Sequence, residues 1–266
     1  MSAVPRPQWT PDEMMTVTAA RMLWDRCVCF VGIGLPSAAA NLARLLHAPD
    51  IVLIYESGTI GTRPRVLPLS IGDGELADTA TTVVPLPEIF SYWLQSGRVD
   101  VGFLGAAQVD RFGNLNSTVI GPYDRPKTRL PGAGGAPEIA IHARQVFVVL
   151  KQSARSFVSE VAFKSSAGFL TGYGARKASG VPGGGPQAII TDYGVMKPQA
   201  GSEEFELVAR YEHVTVADAI AATGWPLQVA ATVDVLQPPT QDELAVLRDL
   251  HRRTREANSR PVKLPV

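Results

Sequence analysis

The chain has 266 residues, 45% of them hydrophobic and 19% charged, with 25 basic residues matched by 25 acidic ones. That composition supports a sizeable buried core, and the lack of any basic excess argues against a nucleic-acid partner. No apolar run reaches the roughly 18 residues of a membrane span, and the opening MSAVPRPQWTPDEMM lacks the apolar stretch of a secretory signal, so neither is expected.

Residues 1–8 hold two prolines and few other cues, and read as a flexible N-terminal arm ahead of one domain over residues 9–266. Thr10 can cap a helix that has Pro11 at its first position and Asp12 and Glu13 in its first turn. This helix is expected to run to about Asp25, burying Met14, Val17, Ala20 and either Leu23 or Trp24. CVCFVGIGLPS follows as an apolar strand ending in glycines, then AAANLARLLHA as a helix and IVLIYE as a second strand, which makes a βαβ unit. Cys27 and Cys29, two apart on a strand, point the same way and are poorly placed to bridge each other, which fits a reducing cytoplasm.

Further along, PEIFSYWLQSG reads as a helix, VDVGFLGAAQVD as one strand, DRFGN as a turn and NSTVIG as a returning strand. QVFVVLKQS and QAIITD are further strands, and the glycine-rich, basic stretch 171–186 between them reads as a mobile surface loop. EEFELVARYE reads as an edge strand, Val216 to Thr223 as a helix, and Gln241 to Ala257 as an amphipathic C-terminal helix. Together these give an α/β chain with a Rossmann-like, mostly parallel sheet flanked by helices.

Several chemistries find no support. No serine sits in G-x-S-x-G, no Walker A loop occurs, and His47, His142, His213 and His251 match no metal-site spacing. Gly32 and Gly34 follow a strand as in a dinucleotide fingerprint, but Ser37 stands where the third glycine belongs; a tight strand-to-helix turn explains them equally. Glu56 is more informative. It closes the run IVLIY just before Ser57 and Gly58, at the edge of a parallel sheet where α/β proteins bind ligands. A glutamate there can attack an activated acyl group if water is excluded. It can also simply cap the following turn, and the segment alone supports both readings. Gly132 to Gly135, ahead of an apparent helix, form a loop whose N–H donors can make an oxyanion site or merely turn a corner.

GIGLP, the glutamate of ESG at a strand end, GAAQVDRFGNLNST and PGAGGA occur in this order in the β (B) subunits of family I CoA-transferases, which this chain resembles from residue 12 to about 250. The likeness is greatest to the branch with glutaconate CoA-transferase and one type of 3-oxoadipate CoA-transferase, which writes ESG where acetoacetate-type enzymes write SENG. The resemblance implies that Glu56 is the nucleophile and forms a glutamyl-CoA thioester, that Gly134 or Gly135 supplies an oxyanion amide, and that Gln108 holds a carboxylate or the thioester oxygen. It also implies a separate α-type partner chain in an α₂β₂ assembly or a dimer of these. It calls for no metal, flavin or nicotinamide, since coenzyme A enters as a thioester substrate. Lys127, Arg129, Arg176 and Lys177 are cations that can meet CoA phosphates or a second substrate carboxylate, or can be plain surface charges. The best match within the family is CoA transfer from succinyl-CoA to 3-oxoadipate, with glutaconate and acetyl-CoA next. Acyl-CoA hydrolases and decarboxylases that share the fold, and a non-catalytic relative, are the alternatives.

Overall fold

The structure, a computed structural model, describes residues 8–259, so all but Gln8 of the expected N-terminal arm lies outside the described residues. The chain builds a ten-stranded sheet in the order β14-β13-β12-β11-β10-β5-β1-β2-β3-β4. Its centre is parallel throughout: β1 (Val28–Phe30), β2 (Val52–Ile54), β5 (Val101–Leu104), β10 (Gln145–Val149) and β11 (Pro186–Ile190). Antiparallel strands extend it on both sides, β3 (Thr59–Ile60) and β4 (Thr82–Val83) at one end, β12 (Gly194–Pro198) and β13 (Phe205–Tyr211) at the other. β14 (Gln228–Leu236) closes the far edge, parallel to β13.

The apolar runs read from the sequence are buried on both faces, as a central parallel sheet requires. Cys29, Val31, Leu53, Phe103 and Phe147 face one core, formed with α1 (Pro11–Arg21), α2 (Leu35–Leu46) and α8 (Gln241–Asn258). Their alternate neighbours Phe30, Ile54, Leu104 and Val148 face a second core under α5 (Ala136–His142) and a π-helix over Ile89–Leu94. Both cysteines are buried and free, and burial raises the Cys27 thiol to about 11.

Helix α1 starts as expected: the Glu13 N–H donates to the Thr10 hydroxyl and the Thr10 N–H donates back to the Glu13 carboxylate. It stops at Arg21 rather than near Asp25: Met22 is its cap, and the chain then turns toward β1 with Arg26 at a positive φ of 63°. Leu23 is the buried residue there and Trp24 is exposed. Arg21 pairs with Glu243 at 2.6 Å and Arg248 with Glu13 at 2.7 Å, which ties α1 to α8.

Other expectations need correction. VDVGFLGAAQVD is not one strand: β5 ends at Leu104, and Gln108–Val109 (β6) leaves the main sheet to pair with Leu115–Asn116 (β7). NSTVIG contributes to a second ribbon, Val119–Ile120 (β8) against Thr128–Arg129 (β9). EEFELVARYE supplies β13, which lies inside the sheet; its alternating burial mimics an edge, while β14 covers its open side. The stretch 171–186 holds the short helix α6 (Ala175–Ala178) and is anchored by Arg176, whose guanidinium is buried. A Cβ on Gly172, Gly183 or Gly184 would collide with backbone oxygens, so these glycines serve close packing rather than mobility.

Chain direction defines the site. From β1 the chain crosses through α2 to β2 on one side, then returns by way of β3, β4 and the π-helix to β5 on the other side. The carboxyl ends of β1 and β5 therefore flank the switch point where open α/β sheets bind ligands.

Candidate active site

β2 delivers Tyr55 and then Glu56 to that crevice. The Gly58 N–H donates to the Tyr55 carbonyl at 3.0 Å and the Tyr55 N–H to the Thr59 carbonyl at 3.1 Å, so Glu56 and Ser57 form the tip of a tight turn into β3. Gly58 has φ +109° and a Cβ there would strike the Val84 carbonyl oxygen, so the turn admits only glycine. Tyr55 is fully buried and its hydroxyl meets the Ser37 hydroxyl at 2.8 Å. Ser37 thus joins α2 to the strand where a dinucleotide fingerprint would place its third glycine, and Gly34 at φ +81° makes the turn into the helix.

The Glu56 side chain is half-buried and makes no hydrogen bond or ion pair with any described residue. Among the described residues it caps no turn or helix, the structural role left open by the sequence. It lines a cavity of about 170 Å³ with Gly32, Phe103, Gly105, Gly134 and Gly135. Gly135 is the residue before α5, and a Cβ built on it would lie 3.2 Å from the Glu56 carboxyl carbon and 2.6 Å from the Phe90 ring. The glycine loop is thus pressed against the carboxylate. Gly134 takes φ +50° and Gly132 φ +107° to bring it there, and the amides of Gly134 and Gly135 have no acceptor among the described residues.

Gln108 is not brought to this cavity. It sits in β6, where its Oε1 accepts from the Asn116 amide at 2.8 Å and from the Ala162 N–H at 3.2 Å. It lines a separate, larger cavity of about 750 Å³. The rest of QVDRFGN is a structural bracket: Asp110 accepts from the Phe112 and Asn114 N–H groups, and Asn114 binds Gly168 and Leu170. Burial raises the Asp110 carboxyl despite those hydrogen bonds.

The four flagged cations separate as well. Lys127 lines the large cavity. Arg129 lies 4.9 Å over the Tyr123 ring, and Lys177 is exposed. Arg176 is no free charge. It is 4% exposed and donates to the carbonyls of Ala140, Ala167, Gly168 and Gly183 at 2.7 to 3.2 Å. Sequence reasoning misses Phe90, which packs against Gly135, and Lys151 and Arg155, which join Lys127 on the large cavity. No local motif marks them, since only the fold brings them near. Among the described residues no cluster of His, Cys, Asp or Glu is arranged to hold a metal, and no helix is long and apolar enough to cross a membrane.

Comparison with known proteins identifies the family. The sequence profile of the family described as Coenzyme A transferase matches residues 12–222. The chain is 60% identical to the B subunit of 3-oxoadipate CoA-transferase from Pseudomonas knackmussii, over 94% of this chain and 96% of that one. It is 34% identical to the B subunit of glutaconate CoA-transferase from Acidaminococcus fermentans, over 91% and 92%. The crystal structure of the Acidaminococcus enzyme superposes with a TM-score of 0.85 at 32% identity, covering 91% of this chain and 94% of its own. The decarboxylase AibA/AibB superposes with a TM-score of 0.79 at 28% identity, covering 93% and 98%. The chain belongs to the coenzyme A transferase family, and it is a CoA-transferase subunit.

Proposed function

We propose that Glu56 is the nucleophile of a two-subunit transferase that moves coenzyme A from succinyl-CoA to 3-oxoadipate. The observation that carries this reading is a half-buried carboxylate with no hydrogen-bond or ionic partner among the described residues, pressed against the glycine loop at the sheet's switch point. The 60% likeness to a 3-oxoadipate CoA-transferase chain supports the choice of acid, with glutaconate second on the weaker likeness.

In the first half-reaction a Glu56 oxygen adds to the thioester carbonyl. The C–S bond breaks, CoA leaves as thiolate, and an acyl–glutamyl anhydride remains. The thiolate then attacks the Glu56 carbonyl carbon, the anhydride C–O bond breaks, and the donor acid departs, leaving a glutamyl-CoA thioester. The second acid reverses these steps. Each addition creates an oxyanion, and the amides of Gly134 and Gly135, which have no acceptor among the described residues, are the donors proposed for it, each worth about 3 kcal/mol. Thioester energy is conserved throughout, so the proposed cycle uses neither a metal nor a redox cofactor.

The curated relatives are named as B subunits, which supports an α-type partner; the proposed assembly is α₂β₂. Ile71 on the cavity wall and Leu69 beside it are exposed, and the partner would cover them and dry the site. Free, buried Cys27 and Cys29 fit a reducing cytoplasm.

The test is to incubate the assembled complex with succinyl-CoA, reduce with borohydride, and map the modified peptide. Reduction of a thioester at Glu56, with loss of activity, is the expected result. Steady release of free CoA without an acceptor acid, and no modified Glu56, would instead mark a hydrolase on the same fold.

A further inference from the structure

The segment that packs beside the glycine loop has an unusual backbone. Over Ile89–Leu94 the chain is a π-helix, in which the Gln95 N–H donates to the Phe90 carbonyl at 2.7 Å, and just beyond it the Arg98 N–H donates to the Trp93 carbonyl at 3.0 Å. In an α-helix, residues five apart point about 140° away from each other. The wider turn puts Ile89 and Leu94 on one face instead, and both are fully buried in the second core. Phe90, next to Ile89, is thereby left half-buried on the flank that meets α5 and the loop before it.

Two neighbours of the Phe90 ring belong to the site. Its centroid lies 5.9 Å from that of Phe30, which lines the Glu56 cavity. Its Cζ and Cε1 lie 2.6 and 2.9 Å from a Cβ built on Gly135, and that same point is 3.2 Å from the Glu56 carboxyl carbon. Gly135 is therefore in contact with both the ring and the nucleophile, whereas Phe90 itself does not line the cavity. The loop's own backbone bonds leave its middle loose. The Gly132 N–H donates to the Ser117 carbonyl at 2.9 Å, the Ala136 N–H to the Ala133 carbonyl at 3.0 Å, and the Ile139 N–H to the Gly135 carbonyl at 3.1 Å. The Gly134 and Gly135 amides have no acceptor among the described residues, so packing against the ring decides where they stand.

We propose that Phe90 is a positioning residue of the transfer reaction: held out by the π-helix, its ring keeps the Gly135 amide at the Glu56 carboxylate, where the oxyanion forms. This rests on the reading of Glu56 as the group that receives CoA. The ring acts through the glycine loop and takes no part in binding the substrate.

The test compares the parent with Phe90→Ala and Phe90→Leu and, as a control on the same π-helix, Trp93→Leu, each in the assembled complex. Trp93 is partly buried against the same core, with the Arg98 guanidinium 6.0 Å from its ring. Each complex is mixed with succinyl-CoA and quenched at intervals, and the fraction of chain carrying CoA at Glu56 is read by peptide mass; thermal melts report stability. At saturating succinyl-CoA the expected rate is about 100-fold lower in Phe90→Ala and intermediate in Phe90→Leu, which keeps apolar bulk. The half-saturating concentration should not change. Trp93→Leu is expected to lower Tm and keep the parent rate. If Phe90→Ala fails to assemble, Phe90→Leu decides. Parent rates in the Phe90 variants overturn the proposal. So does a raised half-saturating concentration at an unchanged rate, which would make the ring a binding group, and so does an equal rate loss in Trp93→Leu, which would reduce it to core filling. A parent that carries no CoA on Glu56 removes the nucleophile and this proposal together, whereas a parent that carries it and Phe90 variants that load equally fast remove this proposal alone.

Discussion

Replacing Gly135 by Ala adds one methyl at the point where the glycine loop meets the nucleophile. The new Cβ would stand 2.6 and 2.9 Å from two Phe90 ring atoms and 3.2 Å from the Glu56 carboxyl carbon. Real side chains do not tolerate the first two distances, so the ring or the loop must move. Gly135 has φ −79°, so alanine introduces no backbone strain and the whole effect is steric. Overpacking of this kind costs about 1–3 kcal/mol, which for a chain of this size lowers Tm by roughly 2–10 °C. The amide donor is kept, and what changes is position: a shift of about 1 Å in a reacting group commonly costs about 100-fold in rate. Transfer assays and thermal melts on the assembled complex are the measurements, with a kcat loss near 100-fold and a modest Tm loss expected. Phe90→Ala in the same chain removes the ring from the collision, so the double variant is expected to be more stable than the sum of the two single effects. A Gly135→Ala enzyme with kcat within threefold of the parent would refute the proposed closeness of loop and carboxylate.

Arg176→Met leaves four carbonyls, two buried and two part-buried, without their donor and is expected to destabilise the chain by about 3–5 kcal/mol, read from denaturant unfolding; a loss below 1 kcal/mol would mean that the segment 171–186 holds itself. Tyr55→Phe removes the hydroxyl contact with Ser37 and is expected to cost about 1 kcal/mol in the same assay while transfer activity persists. The Arg248 hydrogen bond holds the Glu13 carboxyl below its ordinary value of 4.5. A depressed carboxyl stabilises the fold above that ordinary value, and the contribution fades as pH falls through the lower folded value. Arg248→Met should therefore lower Tm at pH 7 and converge with the parent as pH falls below the lowered folded value; a gap independent of pH would point to packing instead.

Much of the fold is legible in the sequence because burial leaves a periodic trace. Runs such as IVLIY and QVFVV can only be central strands, and Thr10 with Glu13 announces a helix start. Failures fall where local pattern and tertiary geometry part. β5 ends at Leu104, the last residue that pairs with β10, yet the apolar run continues through Gly105–Ala107 and conceals the break. β14 is not legible as a strand because a register shift against β13 scrambles its alternation. Arg176 reads as a surface charge because nothing adjacent in sequence supplies the carbonyls that surround it.

The site shows the same division. Glu56 is legible from its place at a strand end, and the glycine loop from its composition, but their closeness, with Phe90 packed on the same glycine, is a product of the fold. Gln108 lines a different cavity from Glu56, because a residue in the same segment as the β5 end need not face the same crevice.

The most direct test of the central claim follows an oxygen atom. When an acid displaces CoA from the Glu56 thioester, the bridging oxygen of the anhydride comes from that acid and stays on Glu56 after CoA departs. Turnover with an acceptor acid labelled with heavy oxygen on its carboxylate should therefore leave a heavy oxygen in the peptide that contains Glu56, and in no other. An unlabelled Glu56 after many turnovers would show that the acid and CoA exchange without passing through this side chain.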